Sequence, residues 1–213
     1  MGSFSSITGA KKHNAASALS AKVELRRNIL DAIGAERTHV FDAYSGPGAM
    51  HAAVWSKAAT YVGCDEEWFR DERRVFVADN QLVLRTLDLK AFNVFDLDAY
   101  GSPWEVATIV AARRGLTPGE RVGIALTDGT DLKLKMSGVP HAFARLVGMP
   151  ARSTKLVNRS HDLMASKALG EMARRMGGRI VRRWVASSTI KAGMQYHAMV
   201  VEGCPDTQAI SGS

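Results

Sequence analysis

The feature that most constrains this chain is a recurrence of short apolar runs, each followed by a turn and a helical stretch. The runs are His39–Tyr44 ("HVFDAY"), Thr60–Cys64, Val75–Ala78, Phe92–Leu97 ("FNVFDL") and Val122–Thr127. Each is short enough for a strand and too apolar for an exposed one. Between them lie stretches that read as helices, among them an Ala-rich run at 49–57 and one that proline opens at 103–114. Apolar strands alternating with helices bury both faces of a parallel sheet, so the fold class is α/β with a mostly parallel sheet and helices on both sides. A leading amphipathic helix, Ala16–Ile33, carries Leu19, Val23, Leu30 and Ile33 at helical spacing and ends at Gly34. A last helix, Ser160–Met176, precedes the runs Arg179–Ser187 and Met194–Val201. The turn between those two is too short for a crossover helix, so they pair antiparallel and bring the sheet to seven strands.

At 213 residues, 46% hydrophobic and 23% charged, the chain suits one globular domain, expected over 15–203. Residues 1–14 read as a flexible basic arm and 204–213 as a flexible tail. No apolar run approaches the roughly 18 residues of a membrane span, and no secretory signal is visible. The two cysteines, Cys64 and Cys204, do not make a disulfide framework. A cytoplasmic setting is expected. The six histidines are scattered without ligand spacing, so no metal is expected. Net charge is +7, and 129–159 holds Lys133, Lys135, Arg145, Arg152, Lys155 and Arg159 against the single acid Asp131. This basic insertion after the fifth strand is either a solvated surface or a phosphate-binding one. In the second case Lys133, Lys135, Arg152 and Lys155 are the substrate-binding candidates.

The ligand site is expected where the strands end. The turn "DAYSGPG" (Asp42, Tyr44, Ser45, Gly46 and Gly48) follows the first strand, and its glycines allow close backbone approach to a ligand. A dinucleotide site would want a third glycine at 51, where His51 stands. Asp65 and Glu66 end the second strand, and Asp79 and Asn80 the third. A carboxylate at 65 suits a ribose diol, and one at 79 an adenine amine. Each acid taken singly could equally cap the following helix.

These features resemble the class I S-adenosylmethionine-dependent methyltransferases over most of His39–Val201. The resemblance implies their Rossmann-like fold and S-adenosyl-L-methionine as cofactor. The "DAYSGPG" turn would contact the methionine part, Asp65 the ribose and Asp79 the adenine. The stretch "DLDAYGSP" (96–103) resembles, more narrowly, the motif D-L-D-P-Y-G-S-P of the tRNA guanine-N2 dimethyltransferase family, with Ala99 in place of proline. "ALTDG" (125–129) also resembles that family, whereas its RNA-binding C-terminal domain has no counterpart in this chain.

In this family the fourth strand ends over the reactive methyl. An exocyclic base amine is a poor nucleophile until a carboxylate and a carbonyl accept its N–H bonds, and an aromatic ring can hold the base flat. Asp98 is accordingly the amine-binding candidate, with Tyr100 shaping the pocket and Trp104 as a possible stacking ring. Both aromatics could instead be core. Asp96 falls with the cofactor-binding set, although a structural role suits it better. The leading reading is a methyltransferase acting on an exocyclic amine of a nucleobase in RNA or DNA. The alternatives are a nucleic-acid-binding protein without turnover, and a methyltransferase for a small amine or a protein.

Overall fold

A computed structural model describes residues 16–67, 69–129, 138–149, 160–187 and 194–205. Their strands are β1 (His39–Asp42), β2 (Thr60–Asp65), β3 (Val75–Val77), β4 (Val94–Leu97), β5 (Arg121–Asp128), β6 (Gly178–Ser187) and β7 (Gln195–Gly203). They form a seven-stranded sheet in the order β3-β2-β1-β4-β5-β7-β6. The pairs from β3 to β5 are parallel, and β7 runs antiparallel to both β5 and β6. The chain leaves β1 toward β2 and β3, then returns to place β4 on the other side of β1. The crevice between the carboxyl ends of β1 and β4 is therefore the topological switch point, where open α/β sheets bind ligands.

Alternation along each strand sorts the core into two layers. Val40, Val94, Ala125, Tyr196 and Ala198 pack with Leu25, Ile29 and Ile33 of α1 (Ala16–Ile33) and with Met50 of α2 (Ala49–Ala53). The intervening residues Phe41, Phe95, Ile124, Leu126 and Met199 face the other way. There they meet α3 (Asn80–Thr86), α4 (Trp104–Arg113), α5 (His141–Val147) and α6 (His161–Arg175).

Three details depart from the sequence expectations. The Ala-rich run is not one helix: α2 stops at Ala53 and a separate 3-10 turn covers Trp55–Lys57. The β2–β3 connection, 66–74, shows no helix among its described residues, and β3 is a short edge strand with Phe76 and Val77 exposed. Finally, the middle of the basic insertion is not surface throughout, because Ala142, Phe143, Leu146 and Val147 of α5 are buried against the core while Arg145 stays exposed. Lys133, Lys135, Arg152 and Lys155 lie outside the described residues, as do 1–15 and 206–213.

Candidate active site

The turn after β1 takes conformations that glycine makes cheap. Gly46 has φ +44° and Gly48 φ +87°, both in the left-handed half of the map. Gly48 donates to the Ser45 carbonyl (3.0 Å), and Ser45 donates to the Cys64 carbonyl (3.0 Å), which ties the turn to β2. Asp65 reaches across from the end of β2. Its Oδ2 accepts the Gly46 N–H at 2.9 Å and its Oδ1 the Glu67 N–H at 3.0 Å. Each oxygen keeps a second lone pair, so a diol fits there. Glu66 beside it is exposed.

Sequence reading missed Arg73. Its guanidinium donates to the carbonyls of Ser45 (3.1 Å) and Gly46 (2.7 Å) and pairs with Asp71. It lies so close that a Cβ at Gly48 would sit 2.8 Å from its Cζ. Nothing in the local sequence marks this arginine as part of the turn, because the carbonyls it binds there lie more than twenty-five residues earlier.

At the end of β3, Asp79 caps α3: Oδ1 accepts from the Gln81 and Leu82 amides at 2.7 and 3.4 Å. The capping alternative is thus realised, with Oδ2 left for another donor. Asn80 donates to the Ala43 carbonyl at 2.9 Å and so joins α3 to the first turn. Tyr44 is half-buried there, and burial pushes its phenol up to about 12.

The fourth strand's acids do not share one role. Asp42 and Asp96 are register partners on adjoining parallel strands, so their carboxyls stand side by side under α1. Asp96 is wholly buried and accepts two guanidinium bonds from Arg26, each 2.6 Å, plus the Trp55 indole N–H at 2.7 Å. This removes Asp96 from the cofactor-binding set: its oxygens are taken up inside the protein. Asp42, 2% exposed, accepts from the Tyr61 hydroxyl (3.0 Å) and the Tyr44 amide (3.2 Å). Burial first, and then the neighbouring Asp96 charge, raise its carboxyl to about 8. Asp42 is likewise an internal residue, not one presented to a ligand.

Asp98, one step past β4, is the half-buried member. The Lys22 ammonium lies 2.7 Å from Oδ1 and the Arg26 guanidinium 3.5 Å from Oδ2. Burial alone would raise this carboxyl, but the Arg26 and Lys22 charges and the Lys22 hydrogen bond hold it below the ordinary range. Lys22 and Arg26 are buried at 6% and 1% exposure. Sequence reading missed both, although they continue the Ile29–Ile33 stripe of α1 toward its N-terminus at helical spacing. Charged residues lined up with a core stripe signal a buried carboxylate partner.

The loop beyond Asp98 is held by its own backbone. Ala99 donates to the Leu97 carbonyl (2.9 Å), Gly101 to the Ala99 carbonyl (3.1 Å), and Gly129 after β5 to the Gly101 carbonyl (2.7 Å). Tyr100 is 71% exposed on this loop. Trp104 is not a stacking ring. It is fully buried, its ring packs against Phe143, and its indole N–H donates to Asp128 at 3.2 Å. The core alternative holds because α4 turns that ring inward at its first residue.

Among the described residues no group of three or more His, Cys, Asp or Glu side chains is arranged to hold a metal ion. No helix there is long and apolar enough to cross a membrane.

Neither a protein-family model nor a curated protein sequence matches the chain. Solved structures do. Trm1 from Pyrococcus horikoshii, in complex with S-adenosyl-L-methionine, is 16% identical over 90% of this chain and 56% of its own, with a TM-score of 0.57. The chain thus spans little more than half of that structure's length. TYW2 from M. jannaschii, in complex with AdoMet, is 11% identical over 91% of this chain and 78% of its own, with a TM-score of 0.52. A putative RNA methyltransferase from Pyrococcus horikoshii is 10% identical over 92% and 88%, with a TM-score of 0.51. At such identities the likeness concerns the fold: the chain has the Rossmann-like fold of the class I S-adenosylmethionine-dependent methyltransferases, with β7 antiparallel between β5 and β6.

Proposed function

We propose that this protein is an S-adenosylmethionine-dependent methyltransferase that acts on an exocyclic amino group of a nucleobase in RNA or DNA. The observation that carries the reading is Asp98, a half-buried carboxylate at the carboxyl end of β4, beside the switch-point turn and held ionised by Lys22 and Arg26. The residues around the turn fit the cofactor. Gly46 and Gly48 open the backbone, Asp65 keeps lone pairs for the ribose, and Asp79 keeps Oδ2 for the adenine amine. When bound, S-adenosylmethionine supplies an electrophilic methyl group.

The chain's own part is positioning. An ionised Asp98 accepts one N–H of the target amine, which pulls the nitrogen lone pair out of conjugation and fixes its direction. Lys22 and Arg26 keep that carboxylate charged and aimed. Tyr100, exposed beside it, closes one side of the base. The basic residues Lys133, Lys135, Arg152 and Lys155 grip phosphates in this reading, and the likeness in fold to a structure described as a putative RNA methyltransferase favours a nucleic-acid acceptor.

Calorimetric titration with S-adenosylhomocysteine tests the cofactor, and transfer of labelled methyl to RNA and DNA pools tests the acceptor. Micromolar binding that Asp65→Ala abolishes, with methyl transfer that Asp98→Ala lowers by a factor of about 10² or more, is the expected result. Absence of S-adenosylhomocysteine binding refutes the reading. Binding without transfer to either polymer refutes the nucleobase acceptor.

A further inference from the structure

A cavity of about 410 Å³ lies between α6, β6 and β7, on the sheet face away from α1. Its floor is His197, only 2% exposed, and neither of its ring nitrogens has a hydrogen-bond partner among the described residues. Buried polar side chains are rarely left so. Burial, aided by the nearby Arg183 charge and opposed by Asp128, drops the imidazole to about 4. It is therefore neutral at pH 7 and offers one donor and one acceptor.

The walls continue that mixture. Gln195 gives its amide N–H to Asp162, while its Oε1 has no partner among the described residues. Arg183 donates to the Ser166 hydroxyl at 2.8 Å and keeps further N–H groups for the cavity. Ser187, paired with Gln195 across the strands, adds a hydroxyl at the mouth.

These groups choose between ligand classes. A phosphate would meet the Asp162 carboxylate and the unpartnered Gln195 carbonyl, and an ammonium would meet the Arg183 guanidinium. The charges of Asp162 and Arg183 balance, and acceptors alternate with donors around the floor. A neutral heterocycle with carbonyl and N–H groups along one edge satisfies both kinds. We infer that this pocket binds a nucleobase of the substrate strand, one other than the base presented to Asp98.

Its place in the sheet agrees. Gln195 is the register partner of Asp128 at the carboxyl end of β5, so the pocket lies at the same edge of the sheet as Asp98, on the opposite face. β4 and β7 are two strand spacings apart, about 10 Å along the sheet, and a substrate strand that reaches both sites passes round this edge from one face to the other. The identity of the ligand as part of the substrate rests on the proposed function; the pocket's chemistry does not.

The test is ligand-observed NMR titration of guanosine, adenosine, cytidine and uridine against the full chain and the variants Gln195→Leu and Arg183→Met. At least one nucleoside should bind in the millimolar range, Gln195→Leu should weaken it tenfold or more, and S-adenosylhomocysteine affinity should stay unchanged. Arg183→Met, at the exposed rim, keeps the test decisive if Gln195→Leu perturbs folding. Binding by no nucleoside, equal binding to all three proteins, or equal displacement by inorganic phosphate would overturn the inference. If the protein ignores S-adenosylhomocysteine, the methyltransferase reading falls, and the nucleoside titration still decides the pocket by itself.

Discussion

Removing Arg26 should cost this protein a large part of its stability, and the size follows from the geometry. The side chain is 1% exposed and its partner Asp96 is 0% exposed. Two bonds of 2.6 Å join them, and Arg26 also lies 3.5 Å from Asp98. With charge centres about 4 Å apart and an effective dielectric constant near 20, the attraction is about 4 kcal/mol. Taking away one member of such a pair strands the other in a poor solvent, at a cost of about 3–5 kcal/mol. Against a total stability of about 5–15 kcal/mol, Arg26→Met should visibly shift the unfolding midpoint, while methionine preserves most of the packed volume. Asp96→Asn should cost less, about 1–3 kcal/mol, because the amide oxygen still accepts and Asp98 still faces Arg26. The double variant should lose about 2–3 kcal/mol less than the two single losses together, which is the coupling. Urea unfolding followed by circular dichroism and tryptophan fluorescence gives all three values if the slopes agree. A loss below about 1 kcal/mol for Arg26→Met, or simple additivity in the double variant, would contradict the buried pairing described here.

The same substitution reaches the proposed chemistry. Arg26 is the largest of the effects that oppose burial and hold the Asp98 carboxyl down. A depressed carboxyl contributes stability that is present above its unfolded pKa and is lost as pH falls through the folded value. Without Arg26 the Asp98 carboxyl rises, so the acid limb of methyl transfer in Arg26→Met should move to higher pH than in the parent protein.

Two further predictions concern the first turn. The Asp42 carboxyl is raised to about 8, so the stability tied to it is present below the unfolded value near 3.8 and is lost as pH rises through the folded one. Asp42→Asn keeps an acceptor for Tyr61 and Tyr44 without that loss; its thermal midpoint should gain on the parent's between pH 5 and pH 8, and parallel melting curves would count against this. Gly48→Ala forces a Cβ into φ +87° and 2.8 Å from the Arg73 guanidinium; it should cost about 1–2 kcal/mol and weaken S-adenosylhomocysteine binding about tenfold, whereas unchanged melting and binding would remove the turn from the site.

What could be read from the sequence and what could not divides along contact distance. Strand alternation, the helix Ala16–Ile33 and the closing antiparallel pair depend on periodicity within a few residues, and each element appears within a residue or two of its expected bounds. That the glycine turn and Asp65 lie side by side was also legible, since strand ends in such a sheet converge by topology. Trp104 shows the opposite case. One turn of α4 decides whether its ring meets ligand or Phe143, and no local pattern specifies which. Arg73, Lys22 and the roles of Asp42, Asp96 and Asp98 depend on partners up to 76 residues away. A carboxylate at a strand end looks the same in sequence whether a buried arginine consumes it or a lysine holds it poised.

That last distinction bears on Ala99, where the resembling motif has proline. A proline at 99 could not donate the hydrogen bond that Ala99 gives the Leu97 carbonyl at 2.9 Å. The bond spans Asp98 and closes a tight turn around it. Stiffness that a proline ring would supply covalently is here supplied by that bond, by the Gly129–Gly101 bond and by the two cations of α1. The Asp98 geometry consequently depends on α1 being docked against β4, β5 and β7. Any change that loosens α1 reaches the carboxylate directly, without a substitution anywhere in the loop that carries it.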